Sequence, residues 1–102
     1  MVLQGGIWEG KQLVSSEWIA AATTEKTRYP NSQKYGYLWW IQQVFANGKV
    51  VNMHYADGNG GQYIMVIPEA DMVVVFTGEN YNSAKSGLPF EIVAQYILPA
   101  VK

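Results

Sequence analysis

The stretch richest in chemistry is Tyr55-Ala56-Asp57-Gly58-Asn59-Gly60-Gly61-Gln62-Tyr63, which leads straight into the apolar run Ile64-Met65-Val66-Ile67. Glycines at 58, 60 and 61 remove the side chains that would screen the main chain, so backbone N–H groups there can face a ligand. A donor held in place before reaction suits a developing oxyanion, because nothing has to reorganise as charge builds on the carbonyl oxygen. The pattern points to acyl chemistry, and to one half of a site for it. The attacking half is missing from this sequence, which has one histidine, no cysteine and no Ser-x-x-Lys in its 102 residues. The chain is therefore expected to be the C-terminal portion of a longer enzyme, with residues 1–102 forming a single segment that is inert alone.

Other residues invite functional readings that weigh less than structural ones. His54 titrates near neutrality and could act as a general base. It sits in mid-strand, where alternation places it on the face opposite Tyr55, and a half-buried or surface histidine is the preferred reading. Asp57 beside Gly58 could be catalytic, although a lone acid there more often belongs to a turn or strand edge. Glu69 and Asp71 flank a turn and are expected to be solvated. Trp39 and Trp40, with Tyr35 and Tyr37, suggest a sugar-stacking platform, but neighbouring strand residues point to opposite faces and aromatic strands commonly form core. Ser15, Ser16, Ser83 and Ser86 lack a lysine three residues on, and Lys85 beside Ser83 and Ser86 has the wrong geometry to activate either.

The elements that would position the glycine-rich stretch are legible from pattern. Ser15 can cap a short helix through Glu17-Trp18-Ile19-Ala20-Ala21-Ala22, weakened by Thr23, Thr24 and Thr27 and stopped by Pro30. Gly5 to Lys11 reads as a turn-rich loop. Strands are expected at Tyr35–Ile41, Val50–Tyr55, Gln62–Ile67 and Met72–Thr77, with Asn47-Gly48 as a hairpin turn and Pro68-Glu69-Ala70-Asp71 as a tight one. A polar loop from Gly78 to Gly87 precedes a last helix with Pro89 in its first turn, an apolar stripe of Ile92, Val93, Tyr96 and Ile97, and Pro99 at its end. The expected fold class is α+β, an antiparallel sheet of about four strands with a C-terminal helix packed on one face. Leu38-Trp39-Trp40-Ile41 and Met72-Val73-Val74-Val75-Phe76 are apolar at odd and even positions alike, as in strands buried on both faces. The helix near Trp18 is a poor cover for the second face, so a missing segment or a second copy is expected to supply it.

Composition narrows the classes. At 49% apolar and 15% charged residues the chain can bury a core and is too apolar to be disordered. A net charge of −1 with seven scattered Lys and Arg leaves no basic stripe, so no nucleic-acid partner is expected. Without cysteine there are neither disulfides nor thiolate metal sites, and no metal or cofactor is expected. No apolar run approaches the ~18 residues of a membrane span, and Met1-Val2-Leu3 followed by Gln4-Gly5-Gly6 does not read as a signal peptide, so any targeting segment of the parent is expected upstream.

Gly6-Ile7-Trp8-Glu9-Gly10-Lys11-Gln12-Leu13-Val14-Ser15-Ser16-Glu17-Trp18, Tyr35-Gly36-Tyr37-Leu38-Trp39-Trp40, Ala56-Asp57-Gly58-Asn59-Gly60-Gly61-Gln62, Val66-Ile67-Pro68-Glu69 and Val73-Val74-Val75-Phe76-Thr77-Gly78 resemble, in that order and spacing, the serine β-lactamase and penicillin-binding-protein-like hydrolases, in particular their class C-like and esterase-like branch. The resemblance covers nearly the whole chain. It implies a partial β-lactamase-like fold and a periplasmic or secreted setting. It also implies a parent enzyme that transfers or hydrolyses acyl groups of small ester or amide substrates. In that family a Ser-x-x-Lys supplies the nucleophile and a Tyr-x-Asn or similar motif helps to handle its proton; neither is assigned to this chain. The family's Lys-Thr-Gly strand edge corresponds by position to Ala56-Asp57-Gly58. The carry-over makes Gly58 the residue that keeps the edge open and the Asn59 N–H the second oxyanion donor. Ala56, Asp57, Gly60, Gly61 and Gln62 would contact substrate. Ala56 stands where β-lactamases carry a cation or imidazole for a substrate carboxylate, so β-lactam turnover is not expected of the parent.

Overall fold

The computed structural model describes residues 1–30, 33–46, 48–79 and 87–101. Its main body is a six-stranded antiparallel meander in the order β3-β4-β5-β6-β7-β8, with a separate two-stranded hairpin ahead of it. The hairpin pairs β1 (Ile7–Trp8) with β2 (Lys11–Gln12), where the sequence suggested only a turn-rich loop. Helix α1 (Ser16–Ala22) follows, and Ser15 caps it by accepting from the Trp18 N–H at 3.1 Å. The large sheet then runs through β3 (Thr27–Arg28), β4 (Lys34–Tyr35), β5 (Trp40–Ala46), β6 (Lys49–Gly58), β7 (Gln62–Ile67) and β8 (Met72–Phe76).

Six strands replace the expected four because the aromatic run Tyr35–Ile41 divides between β4 and β5, and because Thr27–Arg28 adds a short strand, β3, to the edge of β4. Tyr35 pairs with Trp40, and the Gly36 N–H donates to the Trp39 carbonyl at 2.7 Å, so the run folds back on itself as a hairpin. Leu38 at its tip holds a left-handed φ of 69°, a conformation uncommon for a residue with a side chain. Tertiary contact fixes it: the Tyr37 N–H donates to the Ala22 carbonyl at 2.9 Å, tying the tip to the end of α1. The next hairpin follows the expected pattern, with Ala46 paired to Lys49 and Gly48 at φ 72°; Asn47 lies outside the described residues. The return strand β6 extends to Gly58 and so carries Ala56-Asp57-Gly58 as strand.

Register sorts the side chains onto two faces. Val44, Ala46, Met53, Tyr55, Met65 and Ile67 occupy one face and are buried beneath the C-terminal helical segment, whose Val93 and Leu98 are buried with them. That segment begins as α2 (Leu88–Ile92), widens to a π-helical stretch over Val93–Ile97 and closes with α3 (Leu98–Ala100). The widened turn breaks the expected stripe. Val93 is buried and Ile97 half-buried, but Tyr96 turns out to solvent and Leu98 takes the inward position.

The opposite face is apolar and largely uncovered among the described residues. Phe45, Val50, Ile64, Val73 and Val75 are exposed there, while Met1, Val2, Leu3 and Trp39 shelter only the area around Val66. The accessible surface is 6822 Å², against roughly 5,800 Å² for a compact monomer of 11.4 kDa. Strands with two apolar faces were expected, and only one face has found a cover.

Phe45→Lys combined with Val75→Lys places charge where the native side chains are already 70% and 63% exposed. The pair is expected to cut the fluorescence of a hydrophobic-surface dye several-fold while moving stability by no more than about 0.5 kcal/mol, read by urea unfolding. Undiminished dye binding would show that this face is not the hydrated apolar patch.

Candidate functional site

Strand β5 begins at Trp40, opposite Tyr55, whereas β6 continues for three more residues that pair with β7 alone: Ala56 with Ile64, Asp57 with Tyr63 and Gly58 with Gln62. The β5-side edge of Ala56–Gly58 therefore carries no strand partner among the described residues. Met53 and Tyr55, buried at 1% and 5% exposure, anchor β6 just before this overhang. The chain then turns through Asn59-Gly60-Gly61, with Gly60 at φ 99° and Gly61 at φ 83°, values that glycine adopts without the penalty a side chain brings.

The expected site residues separate into two groups. Ala56, Asp57, Gly58 and Gln62 line a cleft of about 350 Å³ at the end of the sheet, together with Tyr63, Ile64, Val75, Phe76 and Thr77. Asn59 is exposed at the tip of the turn, while Gly60 and Gly61 are buried beneath it. Their burial comes from the segment just after β8: a Cβ on Gly78 would stand 2.7 Å from the Gly60 carbonyl oxygen. Gln62 Nε2 donates to the Gly78 carbonyl at 3.3 Å, which ties the same two segments together. The turn thus holds its shape through contacts on its inner side and offers its outer side to solvent.

Asp57 is held from a direction that the sequence pattern did not disclose. Trp40 Nε1 donates to Asp57 Oδ1 at 3.0 Å. The indole is itself packed by Tyr35, edge-on at 4.6 Å between ring centroids, and by Tyr29 at 5.5 Å. On the other side Tyr55, Tyr63 and Phe90 form a mutually edge-on trio with centroids 4.9 to 5.9 Å apart. Burial pushes the Tyr55 phenol up to about 12, with the negative charge of Asp57 and then Tyr63 adding to it. Tyr63 is raised for the same first two reasons, burial and then Asp57.

His54 lies on the uncovered face with its ring 5.6 Å from that of Trp39 at 85°. It is half-buried, its Nε2 has no hydrogen-bond partner among the described residues, and burial holds its pKa below the ordinary 6.5. Trp39 and Trp40 do point to opposite faces, and both are half-buried. Glu69 is exposed, as expected of a solvated residue, and also accepts from the Asn52 backbone N–H at 3.1 Å and from Asn52 Nδ2 at 2.8 Å. Ser15 is used as a helix cap, and Ser83, Lys85 and Ser86 lie outside the described residues. One triplet, Tyr29-Pro30-Asn31, does spell Tyr-x-Asn, contrary to the assignment of none. Tyr29 packs on Trp40 near the overhang, and Asn31 is outside the described residues.

A larger cavity of about 400 Å³ follows the edge of β5, lined by Gln42, Gln43, Asn52 and Tyr55 among others. Lys34 and Trp40 line it as well. Among the described residues no group of His, Asp or Glu could hold a metal ion, and no helix is long and apolar enough to cross a membrane. No protein-family model matches the chain, and no curated protein does either.

Two outcomes follow. Because burial lowers the folded-state pKa of His54, both states are neutral above about pH 6.5, and the unfolded chain binds the proton first as pH falls. The melting temperature is expected to drop between pH 7.5 and the folded pKa, and His54→Gln is expected to flatten that part of the profile; identical profiles would refute the burial argument. Gly78→Ala forces a methyl against the Gly60 carbonyl and is expected to destabilise by about 1–3 kcal/mol in urea unfolding.

Proposed function

We propose that this chain is the C-terminal part of a serine hydrolase related to the β-lactamases and penicillin-binding proteins, of the class C-like or esterase-like kind. Its fold would be a portion of that family's sheet. The observation that carries the reading is the β5-side edge of Ala56–Gly58, without a strand partner among the described residues, running directly into the Asn59-Gly60-Gly61 turn. A nucleophilic serine outside the 102 residues would attack an ester or amide carbonyl. The substrate would lie along the edge, the Asn59 N–H and the serine's own N–H would share the tetrahedral oxygen, and Gly58 would leave room for the acyl group. The open apolar face, with Phe45, Val50, Ile64, Val73 and Val75 exposed, would be covered by the rest of the parent. Ala56 offers no charge to a substrate carboxylate, so simple esters or amides fit the site better than β-lactams.

That same open face also favours a second reading, a non-catalytic assembly module that pairs with another copy through its sheet. The coding region upstream separates the two: a Ser-x-x-Lys there belongs to the enzyme, and its absence to the module. The direct experiment assays the parent polypeptide with a chromogenic ester and a chromogenic cephalosporin side by side. Turnover of the ester alone is expected, with none from the 102-residue chain. Asn59→Pro, which removes the backbone donor, is expected to lower kcat by roughly 10²–10³ with little change in KM. Ester hydrolysis by the short chain, abolished by changing one of its own serines, would overturn the reading.

A further inference from the structure

We propose that Asp57 and the aromatic rings around it form a subsite for an organic cation, a primary ammonium or guanidinium, carried by the acyl substrate close to its reacting carbonyl. Assigning that cation to a substrate rests on the acyl-transfer reading above; the cation site itself rests on four observations. Asp57 is exposed, and the ion pair found among the described residues joins Arg28 to Glu25, so no salt bridge there neutralises the Asp57 carboxylate. Its orientation is nonetheless fixed, because Trp40 Nε1 donates to Oδ1 at 3.0 Å and the indole is wedged against Tyr29 and Tyr35. Three aromatic side chains share its side of the sheet: Trp40 on β5, Tyr55 two residues earlier on β6 and Tyr63 opposite it on β7. Finally, Asp57 belongs to the Ala56–Gly58 stretch that lines the cleft, with its side chain on the helix-covered side, and stands two residues before Asn59.

Each observation narrows the ligand. A fixed carboxylate with one oxygen engaged by an indole keeps acceptor capacity for a donor from solution, and charge-assisted bonds are the stronger kind. The rings on its side of the sheet add apolar contact for the carbon skeleton that carries the cation. An anion is repelled by the same carboxylate, and a neutral group gains the apolar contact without the charge. Two residues of chain span at most about 7 Å between Cα atoms, so the cation would lie within a few bonds of the carbonyl held at Asn59. The substrate class is thus an amino-acyl ester or amide.

The test uses the 102-residue chain and needs no turnover. The Trp40 indole N–H resonance, assigned by its loss in Trp40→Phe, is followed by NMR during titration with benzylammonium, its neutral analogue benzyl alcohol and benzoate. A saturable shift is expected with benzylammonium, with affinity about tenfold or more above that of benzyl alcohol and none for benzoate. Asp57→Asn keeps an acceptor for the indole and removes the charge, and is expected to abolish the preference for the cation. Equal responses to benzylammonium and benzyl alcohol in the native chain, or a cation preference retained in Asp57→Asn, would overturn the subsite. The first comparison needs no variant, so it stands even if a substitution harms folding. A cation preference together with a parent that never hydrolyses esters would sink the acyl-transfer reading and leave the subsite; ester hydrolysis without cation preference would do the reverse.

Discussion

The seating of Leu88–Ala100 across the face of Val44, Met53, Met65 and Ile67 is the contact on which the rest depends. Neither partner is self-sufficient. Helical pieces this short are not stable alone in water, and a sheet without a dry face loses the burial that sets its register. Val93, wholly buried, and Leu98, nearly so, are the hinge of that bargain, each contributing on the order of 1.5–3 kcal/mol by burial. Met53 and Tyr55 fix β6 in the same packed layer, and the next three residues project beyond β5 as a consequence. The geometry of the candidate site is thus inherited from the core and is not built locally.

Alternation along β6 then divides the overhang's chemistry between two faces. Asp57 shares the helix-covered side with Tyr55 and Tyr63, whereas Ala56 shares the open side with His54 and Ile64. A charge on Asp57 is held by aromatic neighbours on a layer that is already complete. Position 56, by contrast, lies on the face that is largely uncovered among the described residues.

Much of this could be read from residue order alone, where local chemistry and tertiary context agree. β7 matches the expected Gln62–Ile67, Ser15 caps α1, and the connection through Gly48 is two residues long. The failures have identifiable physical causes. Tyr35–Ile41 has strand composition throughout, and its fold-back depends on a left-handed Leu38 and on a hydrogen bond to Ala22 far away in sequence. β3 and β4 are two residues each, too short for a period-2 signal. Tyr96 left the expected stripe because a π-helical turn changes the angular spacing on which the stripe was counted. The Trp40–Asp57 bond joins residues that face each other diagonally only once the β5–β6 register is known, so no short-range pattern carries it.

The hydrated valines and phenylalanine of the open face also shape how this polypeptide responds to heat. Unfolding raises heat capacity in proportion to the apolar area newly wetted, and Phe45, Val50, Ile64, Val73 and Val75 are already wet when the chain is folded. The increment, and with it the steepness of denaturant transitions, falls below what chains of equal length show. A smaller increment flattens the curve of free energy against temperature, so that stability changes slowly on either side of its maximum.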